Sequence, residues 1–96
     1  MNNLNCDELC RTLSTGVTLL DVSTTNEFNH GGLPNAKNIP LASLPLFAQQ
    51  HFERDEPVLI YCHSGSRAII AEKILASLGF TDVTNMDGIH HYQHCL

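Results

Sequence analysis

Short apolar runs alternate with longer stretches of helical spacing along this 96-residue chain. Residues 17–22 (Val-Thr-Leu-Leu-Asp-Val) and 58–61 (Val-Leu-Ile-Tyr) are almost continuously apolar and rich in β-branched or aromatic side chains. That is the composition of strands buried on both faces of a parallel sheet. Residues 37–39 and 82–85 read as shorter strands, and Leu4 as the end of a first one. Between them, Asn5 is placed to cap a helix over residues 7–14, with Glu8 three residues on as in a capping box. Leu9 and Leu13 then share its inner face. Residues 25–29 form a short helix, and residues 41–52 show helical spacing at Leu44, Phe47 and Ala48, with Pro45 in the first turn. Ile70, Ile74, Leu75 and Leu78 mark the inner face of a helix that Gly79 stops. Asp87-Gly88 turns the chain into a final helix. Strands alternating with helices predict one α/β domain over residues 1–96. It has three layers, with a mostly parallel sheet of about five strands, helices on both faces and right-handed crossovers.

Charge narrows the partners. Ten acidic and five basic residues leave a net charge of −5, and no run of lysine or arginine occurs. Nucleic acid and anionic membrane are therefore excluded as main partners. No segment approaches the ~20 apolar residues of a membrane span, and the N-terminus has neither the basic region nor the apolar core of a signal peptide. The expected compartment is the cytoplasm, with Cys6, Cys10, Cys62 and Cys95 all reduced.

The chemistry concentrates where strand 58–61 runs into the long helix, through Cys62-His63-Ser64-Gly65-Ser66-Arg67. A strand feeding a helix through so short a loop points several backbone N–H groups at one spot, and the helix N-terminus adds partial positive charge. The result is an anion cradle with a thiol in it. A thiol of pKa near 8.5 is only ~3% thiolate at pH 7; lowering it to about 6.5 raises that fraction roughly 25-fold. The accompanying loss of nucleophilicity gives back about 8-fold. Activation of the thiol thus contributes only about 3-fold. Oriented N–H donors that hold a charged sulfur species are the larger effect.

This loop resembles the active-site loop of the rhodanese-like sulfurtransferases, which commonly reads Tyr-Cys-x-Ser-Gly-x-Arg. Leu19-Leu20-Asp21-Val22 with Glu27-Phe28 is similar to the family's Leu-Asp-Val-Arg…Glu-Phe segment. Leu33-Pro34-Asn35-Ala36-Lys37-Asn38-Ile39-Pro40 is similar to its Ile-Pro-Gly-Ala-x-Asn-Ile-Pro stretch. Leu78-Gly79-Phe80-Thr81-Asp82-Val83 and Gly88-Ile89 are similar to its ending. Three positions depart: Ser23 stands for the usual arginine, Gly32 for the usual histidine, and Asp87 for the first glycine of a Gly-Gly pair.

The resemblance implies the rhodanese-like fold and a two-step sulfur transfer. Cys62 thiolate takes the sulfane sulfur of a small anionic donor such as thiosulfate, or of a persulfide, and passes it to a thiol, to cyanide or to a protein cysteine. The N–H groups of His63, Ser64, Gly65, Ser66 and Arg67 would surround the terminal sulfur. Arg67 either binds the donor's sulfonate or locks the loop to the body of the domain. His63 belongs at the rim. Two other readings compete. Related phosphatases and arsenate reductases place five residues between cysteine and arginine, whereas four separate Cys62 from Arg67, a tighter ring. A non-catalytic interaction domain of this kind usually lacks the cysteine.

Other polar groups carry weaker signals. Asp21, at a strand end, belongs near the Cys62 loop, and its preferred role is to cap the helix at 25–29. Glu27 reads as a surface or supporting group. Cys6 and Cys10 read as partly buried helical thiols in preference to a metal pair or a reversible disulfide. His90 and His94, four apart, with Cys95 and either Cys6 or Cys10, would offer zinc ligands. Without paired Cys-x2-Cys spacing, exposed histidines on a frayed final helix are preferred. No metal and no cofactor is expected.

Overall fold

The computed structural model describes residues 4–96. Its elements, in order, are α1 (Cys6–Ser14), β1 (Thr18–Asp21), α2 (Thr25–Gly31), β2 (Lys37–Asn38), a 3₁₀ turn at Leu41–Ser43, α3 (Leu44–His51), β3 (Val58–Cys62), α4 (Ser66–Ser77), β4 (Val83–Gly88) and a 3₁₀ turn at Ile89–His91. The four strands form one parallel sheet in the order β2-β1-β3-β4. This is the α/β fold expected from alternation. The proposed first strand before α1 falls largely on residues 1–3, outside the described residues, and Leu4 is not in a strand. No helix among the described residues is long and apolar enough to cross a membrane.

Alternation along the strands sorts the core into two clusters. Leu20, Val22, Val58, Ile60 and Cys62 pack with Leu44 and Ala48 of α3 and with Ala68, Ala71 and Leu75 of α4. Leu19, Leu59, Tyr61 and Met86 face the other way, onto Leu9 of α1 and onto Ile89 and Tyr92. Successive side chains of a strand point to opposite faces, so a helix layer covers each side.

Local chemistry sets the helix ends. Asn5 Oδ1 accepts the Glu8 N–H at 2.8 Å while Glu8 Oε1 accepts the Asn5 N–H at 3.1 Å, the expected capping box. A second box, which the sequence reading missed, starts α2. Thr24 Oγ1 accepts the Glu27 N–H at 3.2 Å, and Glu27 Oε1 accepts the Thr24 N–H at 2.9 Å. Gly79, at φ +93, ends α4. Its N–H donates to the Ala76 carbonyl at 3.1 Å and the Phe80 N–H to the Leu75 carbonyl at 3.0 Å. Phe80 and Leu75 both lie in the core, which completes a Schellman stop.

Two apolar expectations fail for one reason. Ile70 is 49% exposed and Phe47 42% exposed, because Ala68 and Ala71 bring α4 close to the sheet and Ala48 does the same for α3. Alanines share those inner faces with Leu44 and Leu75, and the buried stripe they form leaves Phe47 and Ile70 to one side. The chain's end also differs from expectation. β4 continues to Gly88, past the predicted stop at 85, and a 3₁₀ turn replaces the final helix. The extension runs through a bulge. Ile60 pairs with Asn85 but Cys62 pairs with Gly88, so three steps on β4 match two on β3.

Candidate active site

Cys62 is the last residue of β3, the strand that lies between β1 and β4. The next three residues reverse the backbone into α4. Gly65 makes that turn at φ +99, ψ −23, a left-handed conformation that side chains resist. A Cβ at Gly65 would also lie 3.4 Å from the backbone nitrogen of Gly88. The loop is therefore clamped against the bulge of β4. No side chain caps α4, so the N-terminus of this 12-residue helix opens onto the loop.

The Gly65 N–H donates to Cys62 Sγ at 2.9 Å. The sulfur is thus held by the loop's own backbone, the germ of the expected cradle. Cys62 has no exposed surface. His63, Ser64 and Ser66 are exposed, and the two serine hydroxyls lie 3.1 Å apart. His63 sits on the rim of a cleft of about 320 Å³ lined also by Asp21, Ser23, Glu27, His30 and Gln93. Lysine and arginine are absent from its lining among the described residues.

Arg67 turns to α2. Its guanidinium makes a salt bridge to Glu27 Oε1 and a second contact, Nη2 to Oε2, at 3.4 Å. The hydrogen bond from Arg67 holds the Glu27 carboxyl down at about 2, and the Thr24 N–H adds to the effect. The same hydrogen bond raises the pKa of Arg67. Glu27 therefore does two jobs the sequence reading did not join: it closes the α2 capping box and anchors the residue after the loop. The pair spans 40 residues, and short-range patterns carry no sign of it.

Asp21 does reach the cleft, as its strand-end position predicts, but it does not cap α2. Its Oδ1 accepts the Ser23 N–H at 2.7 Å and is buried. Thr24, one residue further on, is the cap because α2 begins at Thr25. Tyr61, beside Cys62, points to the opposite face and accepts the Leu33 N–H at 2.9 Å. Burial pushes its phenol up, and the charge of Asp21 adds to that shift.

The cysteine expectations need correction away from the loop. Cys6 and Cys95 are joined in a disulfide, with Cα atoms 5.2 Å apart across 89 residues of sequence. They are not reduced helical thiols. Cys10 is free and exposed, because Leu9 and Leu13 occupy the inner face of α1. His94 is exposed as expected, but the final helix that would have carried it is replaced by a 3₁₀ turn at Ile89–His91. Its Nε2 lies 3.4 Å from Cys6 Sγ, so the less favoured grouping of His94 with Cys95 and Cys6 is the one that forms, without His90.

Residues 5–89 match the family model of the rhodanese-like domain. The chain belongs to the rhodanese-like family. The senescence-associated protein DIN1 of Raphanus sativus is 34% identical to it over 84 residues, which cover 76% of this chain and 46% of that protein. The chain thus spans about half of that relative. A protein of Allochromatium vinosum named as a sulfurtransferase is 30% identical over 90 residues, 92% of this chain and 83% of its own. The crystal structure of a rhodanese-like domain protein from Staphylococcus aureus superposes with a TM-score of 0.79 at 31% identity, covering 96% of this chain and 91% of that one.

The departures of this rhodanese-like chain from the family's usual pattern have local explanations. Ser23 is buried with its N–H on Asp21. Gly32 ends α2 where an added Cβ would fall 2.3 Å from the Phe28 ring. Asp87 sits at φ +71, in the left-handed region where the family's glycine costs nothing. Asn85 Oδ1 accepts its N–H at 2.7 Å and steadies the bulge.

Proposed function

We propose that the protein is a cytoplasmic, single-domain sulfurtransferase that carries sulfane sulfur as a Cys62 persulfide. The Cys62 thiolate attacks the outer sulfur of thiosulfate or of a persulfide. A new S–S bond forms to Cys62, and the old sulfur–sulfur bond breaks with its electron pair leaving on sulfite or on the donor thiol. A thiol, cyanide or a protein cysteine then attacks the terminal sulfur and regenerates the Cys62 thiolate. No cofactor takes part. The observation that carries this reading is the Gly65 N–H aimed at Cys62 Sγ at 2.9 Å, at the uncapped start of α4. Amides of His63 through Arg67 are the donors for the terminal sulfur, where developing negative charge is stabilised without reorganisation.

Arg67, occupied by Glu27, is assigned to locking the loop and not to gripping a sulfonate. The cleft beside His63 carries Asp21 and, among the described residues, neither lysine nor arginine. For a donor that reaches the loop across it, a persulfide of low charge is therefore favoured over dianionic thiosulfate. The burial of Cys62 favours one other reading, a weakly active interaction domain whose donor is a protein.

Mass spectrometry decides between them. After incubation with thiosulfate or with a small-thiol persulfide, the chain gains one sulfur atom, loses it to cyanide, and never gains it as Cys62→Ser. Loading of Cys62→Ser at the wild-type level would overturn the assignment.

A further inference from the structure

Cys6, His94 and Cys95 bring a nitrogen and two sulfurs within 4.8 Å of one another, on the opposite side of the sheet from Cys62. Nothing in sulfur transfer at Cys62 uses them. His94 Nε2 is 3.4 Å from Cys6 Sγ and 3.9 Å from Cys95 Sγ. In a tetrahedral zinc site, with Zn–S about 2.3 Å and Zn–N about 2.0–2.1 Å, a sulfur and a nitrogen ligand stand about 3.5 Å apart. The imidazole thus stands at ligand spacing from Cys6 Sγ and slightly beyond it from Cys95 Sγ. The two sulfurs, bonded to each other here, part to ligand spacing only once the disulfide is opened.

The disulfide is not all that holds these groups together. Tyr92 is fully buried, and its hydroxyl accepts the Leu4 N–H at 3.2 Å, which ties the two ends of the chain. Leu4 and Cys95 both pack against the cluster that contains Leu9 and Tyr92. Neither contact passes through the disulfide, so both are available to hold α1 and the C-terminal turn together once it is opened. Two thiols and an imidazole are then presented together, with Cys6 and Cys95 half-buried and His94 exposed.

We propose that the reduced Cys6–Cys95 pair, with His94, is a binding site for one thiophilic divalent cation of the zinc class, and that the disulfide is its metal-free, oxidised form. A dithiol reductant supplies two electrons, and two protons are taken up as the disulfide becomes two thiols. Zn²⁺ then displaces both thiol protons and binds two thiolates and the His94 nitrogen, with water at the fourth position. Oxidation by a peroxide runs the other way. The two thiolates give up two electrons to re-form the disulfide, the peroxide is reduced to water, and the cation leaves. Soft thiolate donors select Zn²⁺ over Mg²⁺ and Ca²⁺.

The test uses the full chain carrying Cys10→Ser and Cys62→Ser, so that no other thiol competes. It is reduced with a phosphine under anaerobic conditions, titrated with Zn²⁺ and read by native mass spectrometry. The expected result is one Zn²⁺ per chain with the loss of two protons. Binding vanishes in Cys6→Ser and after oxidation to the disulfide. His94→Ala, an exposed substitution with no part in the core, weakens it at least tenfold and removes one nitrogen ligand from the X-ray absorption spectrum. Absence of one-to-one binding, or binding that His94→Ala leaves unchanged, overturns the proposal. Circular dichroism of each variant separates loss of a ligand from loss of the fold.

Discussion

Gly65 and Glu27 carry the loop by different means. At φ +99, Gly65 occupies a conformation that costs any other L-residue about 1–2 kcal/mol. A Cβ there would make only ordinary contact with Gly88, 3.4 Å from its nitrogen, so the cost lies in the backbone. Gly65→Ala should lower stability by that amount in urea unfolding and should reduce persulfide loading, because the amide that reaches Cys62 moves with it. Glu27 acts through charge. Its carboxyl, held at about 2 against an ordinary 4.5, is depressed in the folded state. Its contribution is therefore complete above pH 4.5 and fades as pH falls through 2. The pair is partly exposed, so Glu27→Gln should cost only about 1 kcal/mol at pH 7. The difference in urea midpoint between the two proteins should shrink steadily below pH 4.5. A gap that stays constant down to pH 2 would show that the ion pair contributes nothing.

Among the elements, what is legible in sequence depends on how local its cause is. The Asn5–Glu8 box, the Gly79 stop and the apolar runs of β1 and β3 rest on neighbours within a few residues, and each appears where expected. The bulge in β4 was unreadable, because it shows only in the register of β4 against β3, a strand more than twenty residues away. On the inner faces of α3 and α4, Leu44, Ala48, Ile74, Leu75 and Leu78 lie where expected, whereas Phe47 and Ile70 do not. Ala68 and Ala71 were passed over because alanine carries little hydrophobic signal. The loop sequence itself was fully visible, whereas the tie from Arg67 to Glu27 joins residues with no local pattern in common. Gly79→Ala offers a test at this scale. The left-handed stop opposes a Cβ by about 1 kcal/mol, and the nearest atom, 3.0 Å away, is the flexible Arg54 Cδ. A modest fall in melting temperature is expected, with sulfur loading intact, since the far end of α4 carries the change.

Across the molecule, the ends of the chain are joined twice, by Tyr92 and by the Cys6–Cys95 bond. Closing so long a loop should stabilise by about 4–5 kcal/mol in the chain-entropy model. Reductant should lower the urea midpoint of the wild type accordingly and leave Cys6→Ser unmoved. Equal midpoints with and without reductant would mean that the bond does not form. The bond itself lay beyond sequence reading, because a separation of 89 positions and an uninformative cysteine spacing hide it. The sheet adds one more consequence. Cys62 belongs to the core on one side, while Cys95 packs against the core on the other. A single layer of hydrogen-bonded backbone therefore stands between the Cys62 sulfur and the Cys6–Cys95 pair. Direct exchange between Cys62 and the pair within one chain is therefore blocked, so a mixed disulfide that joins Cys62 to Cys6 or Cys95 should form only between two chains and should depend on protein concentration.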